Sequence, residues 1–391
     1  MRDDRACHRN VSNKHAKIPV MRLLRRWLLT VVAVAIVSSR VTLASEAEGV
    51  VGMVTRPYVD QARLNWAGTA PRPLRTAIWY PVDEAAEREI IFDAPPEQRF
   101  FVPVVVAPAA RVSQRAQTYP LIVMSHGTGG SALMMMWLGR YLAARGYIVA
   151  AVNHHGNTAA EKELAPQGFL LYWERATDLG VVIDQVLQDP MFENRIDRTR
   201  IGAAGFSLGG YTVISAAGGR FDQRRFDRFC RSRARDFTCG PQNEFPEAPA
   251  RFAELRKADP VVRRSLRRSG NSYRDPRIKA VFAIAPALGG GFGARALRDV
   301  RVPVHIVVGA ADDITPPGTN AWRYASLIRN AQLTTLAGQV SHYTFLHECT
   351  PRGREVIPIC RDGETVDRAS VHRTVAELAL RFFDPLLRPQ Q

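Results

Sequence analysis

A serine framed by two glycines stands in the pentapeptide Gly205-Phe206-Ser207-Leu208-Gly209. The pattern G-x-S-x-G is typical of a sharp turn between a strand and a helix, which exposes the serine hydroxyl for nucleophilic attack. Glycine on both sides suits a crowded turn that larger side chains would oppose. The alternative is an ordinary glycine-rich turn, since five loosely specified positions also match by chance. The chemistry open to Ser207 is acyl transfer.

A serine hydroxyl is a weak nucleophile at neutral pH, so it needs a general base and an acid that orients the base. Where the serine lies in such a turn, the partners follow in the order serine, acid, histidine. Asp312 comes where the strand-like segment VHIVVG ends, and Asp313 beside it is the alternative acid. His342 follows the last strand-like segment, in the loop GQVSHYTF, and is the predicted base.

The other histidines have simpler interpretations. His126 is expected to shape the turn after its strand, while His154 and His155 lie in a loop at the same sheet edge and could line the pocket. Three more fall inside a strand or too late in the chain to act as the base: His305, His347 and His372.

Acyl transfer also needs two backbone donors for the oxyanion, one from the residue after the nucleophile and one from the loop after an early strand. The N–H of Leu208 is the first. In the segment SHGTGG, Gly127 allows a tight turn that presents the N–H of Thr128 as the second. Gly129 and Gly130 are interpreted as a source of flexibility.

These residues need elements that bring them to one edge of a sheet. Apolar strand-like runs alternate with helical patterns, which predicts a mostly parallel central sheet flanked by helices. Strands are expected within residues 74–81, 119–130, 146–156, 198–206, 278–286, 302–317 and 331–345, and helices in residues 131–145, 172–187 and 208–217.

Residues 220–275 interrupt this alternation. They are rich in arginine, have no strand-like run and contain Cys230 and Cys239. We interpret them as a cap inserted into one domain that covers residues 45–391. Two roles remain open for the cap, a basic surface in solvent and a lid that shapes access to the site.

The chain has 391 residues, 46% of them hydrophobic, and a formal net charge of +16. Its arginines are scattered, without the aromatic-interleaved patch or zinc-finger spacing of nucleic-acid readers, so nucleic acid is not an expected partner. The charge instead allows peripheral association with an anionic membrane or envelope surface.

The amino end indicates export. The segment MRLLRRW at residues 21–27 is basic, and an apolar run follows it that is short for a bilayer span and ends in small residues near Ala44. Residues 1–44 are therefore predicted to be a signal peptide, with Met1 or Met21 as the start. A retained membrane anchor is the alternative.

Cysteine spacing agrees with export. Beyond Cys7 in the leader, the chain has two close pairs, Cys230 with Cys239 and Cys349 with Cys360. Four cysteines allow three connectivities, and we favour local disulfides within each pair. The C-x-x-C spacing of a zinc site is absent, and no metal or organic cofactor is expected.

The segments SHGTGG, LAARGYIVAAVNHHGN, GFSLGG and SHYTFL resemble the α/β-hydrolase superfamily. More narrowly, the chain is similar to bacterial dienelactone-hydrolase-like proteins, which are related to the platelet-activating-factor acetylhydrolases. True dienelactone hydrolases are similar in fold but use a cysteine nucleophile where this chain has Ser207. In the acetylhydrolases the acid follows the strand after the nucleophile, where this chain has AIAPA around Pro286, so Asp312 must serve here.

The resemblance and the residues together predict an exported serine hydrolase that cleaves carboxylic esters with short or medium acyl chains, or lipid-derived esters, through an acyl-enzyme. A serine peptidase or amidase would use the same residues. The non-enzyme alternative is a ligand-binding protein with the same fold.

Overall fold

The computed structural model describes residues 50–83, 89–91 and 100–388. The predicted signal peptide, residues 1–44, lies outside the described residues, so its prediction is not tested here. Within the described ranges, no helix combines the length and apolar character that crossing a bilayer requires.

Ten strands of the described residues form one mixed sheet. Their bounds are β1 Gly52–Leu64, β2 Pro71–Tyr80, β3 Glu89–Ile91, β4 Val104–Pro108, β5 Tyr119–Ser125, β6 Ile148–Val152, β7 Ile196–Phe206, β8 Ile278–Ile284, β9 Val304–Gly309 and β10 Ala331–Leu336. The order across the sheet is β10-β9-β8-β7-β5-β6-β2-β1-β4-β3. Strands β5 to β10 run parallel to their neighbours among themselves, and β2 joins β6 antiparallel. The predicted parallel sheet is therefore confirmed, with an antiparallel extension at one edge.

The parallel strands form where short apolar runs can be covered on both faces. Every residue of β5, β6 and β9 is buried, and β8 exposes only Lys279. Such strands read as continuous hydrophobic runs because helices cover both sides of a parallel sheet. Strand β1 was not predicted, since buried and exposed positions follow no regular alternation along its thirteen residues.

Eleven α-helices of the described residues flank the sheet or follow it. They are α1 Met136–Ala143, α2 Pro166–Leu170, α3 Glu174–Val186, α4 Leu208–Ala216, α5 Gln223–Arg231, α6 Ala248–Ala258, α7 Pro260–Arg267, α8 Ala294–Leu297, α9 Ala321–Leu327, α10 Pro351–Val356 and α11 Arg368–Leu387. Helices α1, α3 and α4 agree with the predicted helices within a few residues, although a 3₁₀ turn at Ala132–Met135 precedes α1.

Residues 220–275 contain α5, α6 and α7 and no strand. Disulfides join Cys230 to Cys239 in this segment and Cys349 to Cys360 near the carboxyl end, which is the local connectivity favoured from the sequence. The first bridge ties the end of α5 to a 3₁₀ turn at Phe237–Cys239, and the second encloses α10.

Candidate active site

Ser207 lies in a strained turn between β7 and α4. Its φ of 56° lies in the left-handed region, which non-glycine residues rarely adopt. Hydrogen bonds hold the turn on both sides, since Ser207 N–H donates to the carbonyl of Ile284 at 2.9 Å and Ala287 N–H donates to the carbonyl of Ser207 at 3.0 Å. The chain is thus fixed in a conformation that directs the serine away from the sheet.

The two framing glycines are required by close approach of the backbone. A Cβ on Gly205 would lie 2.2 Å from the carbonyl oxygen of Gly209, and one on Gly209 would lie 1.9 Å from that of Ser125. Real Cβ contacts are never this short, so no larger residue fits without moving backbone. The crowding inferred from the sequence is present at both positions.

The structure brings the three predicted side chains into one hydrogen-bonded chain. His342 Nε2 lies 2.9 Å from Ser207 Oγ, and His342 Nδ1 lies 2.8 Å from Asp312 Oδ2. All three residues are buried, at 7% exposure for Ser207, 2% for His342 and 4% for Asp312. The imidazole ring packs on Phe206, whose ring centroid is 4.8 Å away. A base between a serine and a carboxylate can take the serine proton while its orientation stays fixed.

Contacts between two loops place the acid beside the base. After β9 the backbone of Gly309 passes so near Val340 that an added Cβ would lie 2.1 Å from the Val340 carbonyl oxygen. Ala311 N–H donates to that same carbonyl at 3.0 Å. Since Val340 comes two residues before His342, these contacts bring the end of β9 to the base.

Asp312 and its neighbour Asp313 differ in environment. Asp312 is buried and accepts hydrogen bonds from the N–H of Thr315 at 2.7 Å and from its hydroxyl at 3.0 Å. Asp313 is exposed. Thr315 was missed in the sequence, although a threonine three residues after an acid is a common partner of a carboxylate in a turn. It holds the carboxylate that faces the imidazole.

Both predicted oxyanion donors lie at the cavity beside Ser207. Thr128 and Leu208 line the same cavity as Ser207, and neither N–H has an intramolecular acceptor among the described residues. Leu208 begins α4, so its N–H is one of the free donors at a helix start. Gly129 is more than a flexible position, because its φ is 61° and its N–H donates to Asn157 Oδ1 at 2.5 Å. Asn157, which the sequence interpretation gave no role, thereby fixes the loop.

His154 does not line the pocket, contrary to the prediction from its place in the chain. Its ring is buried, with Nε2 2.9 Å from Ser125 Oγ and Nδ1 2.7 Å from Asp178 Oδ2. Burial lowers the pKa of His154 to about 4, so the ring is neutral at pH 7. His155 is also wrong as a pocket residue, because it lies in a separate surface cavity and bonds to Glu161.

The buried pair His126 and His154 supports the predicted oxyanion loop, residues 126–130, which carries Thr128. The N–H of His154 donates to His126 Nε2 at 3.2 Å, and the Arg175 guanidinium donates to the carbonyl of His126. His126 Nδ1 bonds to the carbonyl of Gly127 at 2.7 Å, so it shapes the turn as expected. These groups fix the backbone that leads to Thr128.

Two cavities meet at Ser207. The larger, about 440 Å³, is bounded by α2, the turn between α2 and α3, and the 220–275 segment, and aromatic rings cover much of its wall. These are Phe169, Tyr172, Trp173, Phe226, Phe237 and Phe252. The smaller, about 140 Å³, lies on the side of the oxyanion loop and includes Met134, Met135 and Tyr343. The two groups attached to the carbonyl of a bound ester would therefore lie in cavities of different size.

Comparisons with known proteins agree with this architecture. The model of the family Platelet-activating factor acetylhydrolase, isoform II, matches residues 102–167. Cutinase est1 and Cutinase est2 of Thermobifida alba are each 32% identical over 107 residues, which are 27% of this chain and 32% of theirs. A ferulic acid esterase from Streptomyces cinnamoneus has a TM-score of 0.56 at 20% identity, over 87% of this chain and 91% of that chain. The protein has the α/β-hydrolase fold.

The comparisons cover this chain unevenly. The structural likeness to the ferulic acid esterase covers most of the chain and supports the fold. The family match covers the segment from β4 to α2, which includes β5, the oxyanion loop and β6. The chain spans about a third of the length of the cutinases it matches.

Proposed function

We propose that this α/β-hydrolase is an exported serine hydrolase that cleaves carboxylic esters through an acyl-enzyme. The observation that carries the proposal is the hydrogen-bonded chain from Ser207 through His342 to Asp312, which ends at a strained serine on the wall of an apolar cavity. Similarity to proteins described as cutinases, a ferulic acid esterase and an acetylhydrolase supports ester bonds as the target.

The first half of the reaction forms the acyl-enzyme. Ser207 Oγ attacks the ester carbonyl carbon while His342 Nε2 takes its proton, and Asp312 stabilises the resulting imidazolium. The carbonyl oxygen gains negative charge and accepts hydrogen bonds from the N–H groups of Thr128 and Leu208. The C–O bond then breaks, and the leaving alkoxide receives the proton from His342.

The second half releases the acid. Water enters where the alcohol left, and His342 takes a proton from it as its oxygen attacks the acyl carbon. The same two N–H groups stabilise the second oxyanion. Collapse of this intermediate breaks the bond to Ser207 Oγ, which recovers its proton from His342. No metal or organic cofactor takes part in this scheme.

The cavities favour esters with apolar groups. An aromatic-lined space of about 440 Å³ takes a short or medium hydrocarbon chain by removing its surface from water. Lipid-derived esters are the leading natural class. Export is supported by the two disulfides, which form and persist in oxidising compartments.

The test is hydrolysis of p-nitrophenyl esters of graded chain length, together with fluorophosphonate labelling mapped to its residue. The wild type should turn over esters and label at Ser207, and Ser207→Ala should lose both. Ser125→Ala is the matched control because Ser125 also bonds to a histidine paired with an aspartate. It should still label at Ser207.

Two results would contradict the proposal. Folded wild-type protein that neither turns over esters nor labels would favour a ligand-binding protein. Matching anilide or peptide substrates that are cleaved faster than the esters would favour a peptidase or amidase that uses the same residues.

A further inference from the structure

Three arginines line a separate cavity on the outer side of the 220–275 segment. The cavity measures about 460 Å³ and lies between α5 and the loop that leads into α9. Arg225 and Arg228 come from α5, and Arg323 comes from α9. No aspartate or glutamate is among the described residues that line it. The cavity therefore concentrates positive charge without a carboxylate on its wall.

The arginines are held apart from neutralising partners. Arg323 donates to the carbonyls of Gly289 and Phe292, at 3.0 Å and 2.6 Å, so its hydrogen bonds fix the guanidinium without cancelling its charge. The Nε of Arg225 is buried and has no hydrogen-bond partner among the described residues. A buried cationic donor without an acceptor is costly, and a bound anion would remove that cost.

In the described part of the chain, two carboxylates bond to residues of the cavity wall, Asp222, whose Oδ1 accepts from the backbone N–H of Arg225 at 3.0 Å, and Asp236. Asp236 Oδ2 accepts from the hydroxyl of Thr319 at 2.6 Å and from Asn320 Nδ2 at 2.9 Å, and Asp236 Oδ1 accepts from Thr238. It forms no ion pair with Arg225, Arg228 or Arg323 in the described residues. Burial, followed by the nearby charge of Arg225, lowers the pKa of Arg323, as expected of neighbouring cations.

We propose that this cavity binds a phosphate-bearing anion. Guanidinium groups recognise phosphate with paired N–H donors, and three of them around one space match a tetrahedral dianion better than a carboxylate with two oxygens. The phosphate group belongs either to a soluble phosphate compound or to the headgroup of an anionic lipid. The site shares no lining residue with the cavities at Ser207, so the proposal does not rest on the proposed esterase activity.

The test is calorimetric titration of inorganic phosphate into the full chain at constant ionic strength. We expect saturable binding that Arg225→Gln and Arg228→Gln each weaken by about tenfold or more, because each removes a charge-assisted contact. Arg224→Gln is the matched control, since it removes the same charge from an exposed position of α5 that does not line the cavity. It should change the affinity by less than about twofold, as a screened surface charge does. Thermal unfolding of each variant checks that it folds, and Arg228, being exposed, gives a variant whose folding is not at risk.

Flotation with vesicles separates the two sources of phosphate. The vesicles consist of phosphatidylcholine with phosphatidic acid. A lipid headgroup is identified if the wild type and Arg224→Gln bind these vesicles and Arg225→Gln does not. Phosphate binding without vesicle binding would identify a soluble compound, and both results support the site. The proposal is overturned if the wild type shows no saturable phosphate binding, or if Arg224→Gln loses as much affinity as Arg225→Gln, because either result means diffuse surface charge.

Discussion

At the scale of single residues, the described part of the chain contains two serine–histidine–aspartate triplets with similar distances. In one, Ser207 and Asp312 flank His342, and in the other, Ser125 and Asp178 flank a fully buried histidine. Only Ser207 combines a left-handed backbone with a place on a cavity wall. Hydrogen-bond geometry alone therefore does not identify a nucleophile. The serine must also have a strained backbone and lie where a substrate can reach it.

Asp312 and Asp313 provide a sharp comparison of a buried acid with an exposed one. Asp312→Asn should lower kcat by about 10³-fold to 10⁴-fold, since an amide no longer stabilises the imidazolium or fixes its tautomer. Asp313→Asn should stay within about twofold, because its side chain is exposed and makes no bond to the base. Steady-state kinetics with one p-nitrophenyl ester measures both. Equal loss in the two variants would mean that the acid has been misassigned.

The order of residues along the chain pointed to Ser207 and His342 and narrowed the acid to Asp312 or its neighbour Asp313, because each follows a strand that the apolar pattern predicts. Thr315 and Asn157 escaped prediction. Their roles depend on which loop lies opposite, and that is set by tertiary packing rather than by local sequence. The same limit explains why His154 was expected in the pocket and lies beneath it.

At the scale of elements, the turn between β7 and α4 tolerates no side chain at its glycines. Gly209→Ala should destabilise the protein by about 2 kcal/mol or more and abolish ester turnover, because the new methyl group would overlap the Ser125 carbonyl. Gly318→Ala is the matched control, since nothing lies within 4 Å of its added Cβ. Urea unfolding measures both, and a stable, active Gly209→Ala would refute the crowded turn.

The two disulfides close loops of similar length in different places. Replacing Cys230 and Cys239 together with serine should cost about 2–3 kcal/mol of stability by loop entropy. It should also raise KM for long-chain esters, because Phe237 and Thr238, inside that loop, line the large cavity.

The Cys349–Cys360 bridge joins residues with a sequence separation of 11, and the Cys230–Cys239 bridge joins residues with a separation of 9. The double serine variant of Cys349 and Cys360 is therefore the control for stability. It should lose a similar free energy of unfolding with a smaller change in KM, since neither residue lines the large cavity. Equal shifts of KM in both double variants would contradict a specific role for the first bridge.

The sheet was predictable where both of its faces are covered. Every residue of β5 and β9 is buried, and both strands lie within segments that the apolar pattern predicts. Strand β1, toward the antiparallel edge, alternates irregularly between buried and exposed positions, and β4 has only five residues. What the sequence lacks there is a periodic signal.

At the scale of the whole molecule, buried neutral histidines make stability depend on pH. Burial lowers the pKa of His154 and of His347 to about 4, whereas an unfolded histidine titrates near 6.5. Between these values the unfolded chain binds more protons, so stability falls as pH falls. Lowering the pH from 7 to 5 should cost roughly 2 kcal/mol for each of the two.

Chemical unfolding at a series of pH values measures this dependence. His347→Gln keeps a donor for the Val102 carbonyl and removes one titrating ring, so its stability should vary less steeply than that of the wild type. A wild-type free energy of unfolding that stays constant between pH 7 and 5 would contradict the buried, neutral state of these rings.

The charge of the molecule is also unevenly distributed. Residues 220–275 hold fifteen arginines or lysines against eight acidic residues, a net of +7 out of the +16 of the whole chain. Most of these cations are exposed, and of the described arginines and lysines of this segment only Arg220 forms an ion pair. An anionic surface would therefore attract the face of the molecule that also borders the large cavity.

The two unequal cavities at Ser207 have a consequence for mirror-image substrates. A nucleophile with a large space on one side and a small space on the other is a handed environment. If a stereocentre beside the ester carries one bulky and one small group, only one enantiomer can place each group in the cavity that fits it while its carbonyl lies at the N–H groups of Thr128 and Leu208. Racemic esters of this kind should therefore be resolved, with one enantiomer consumed first.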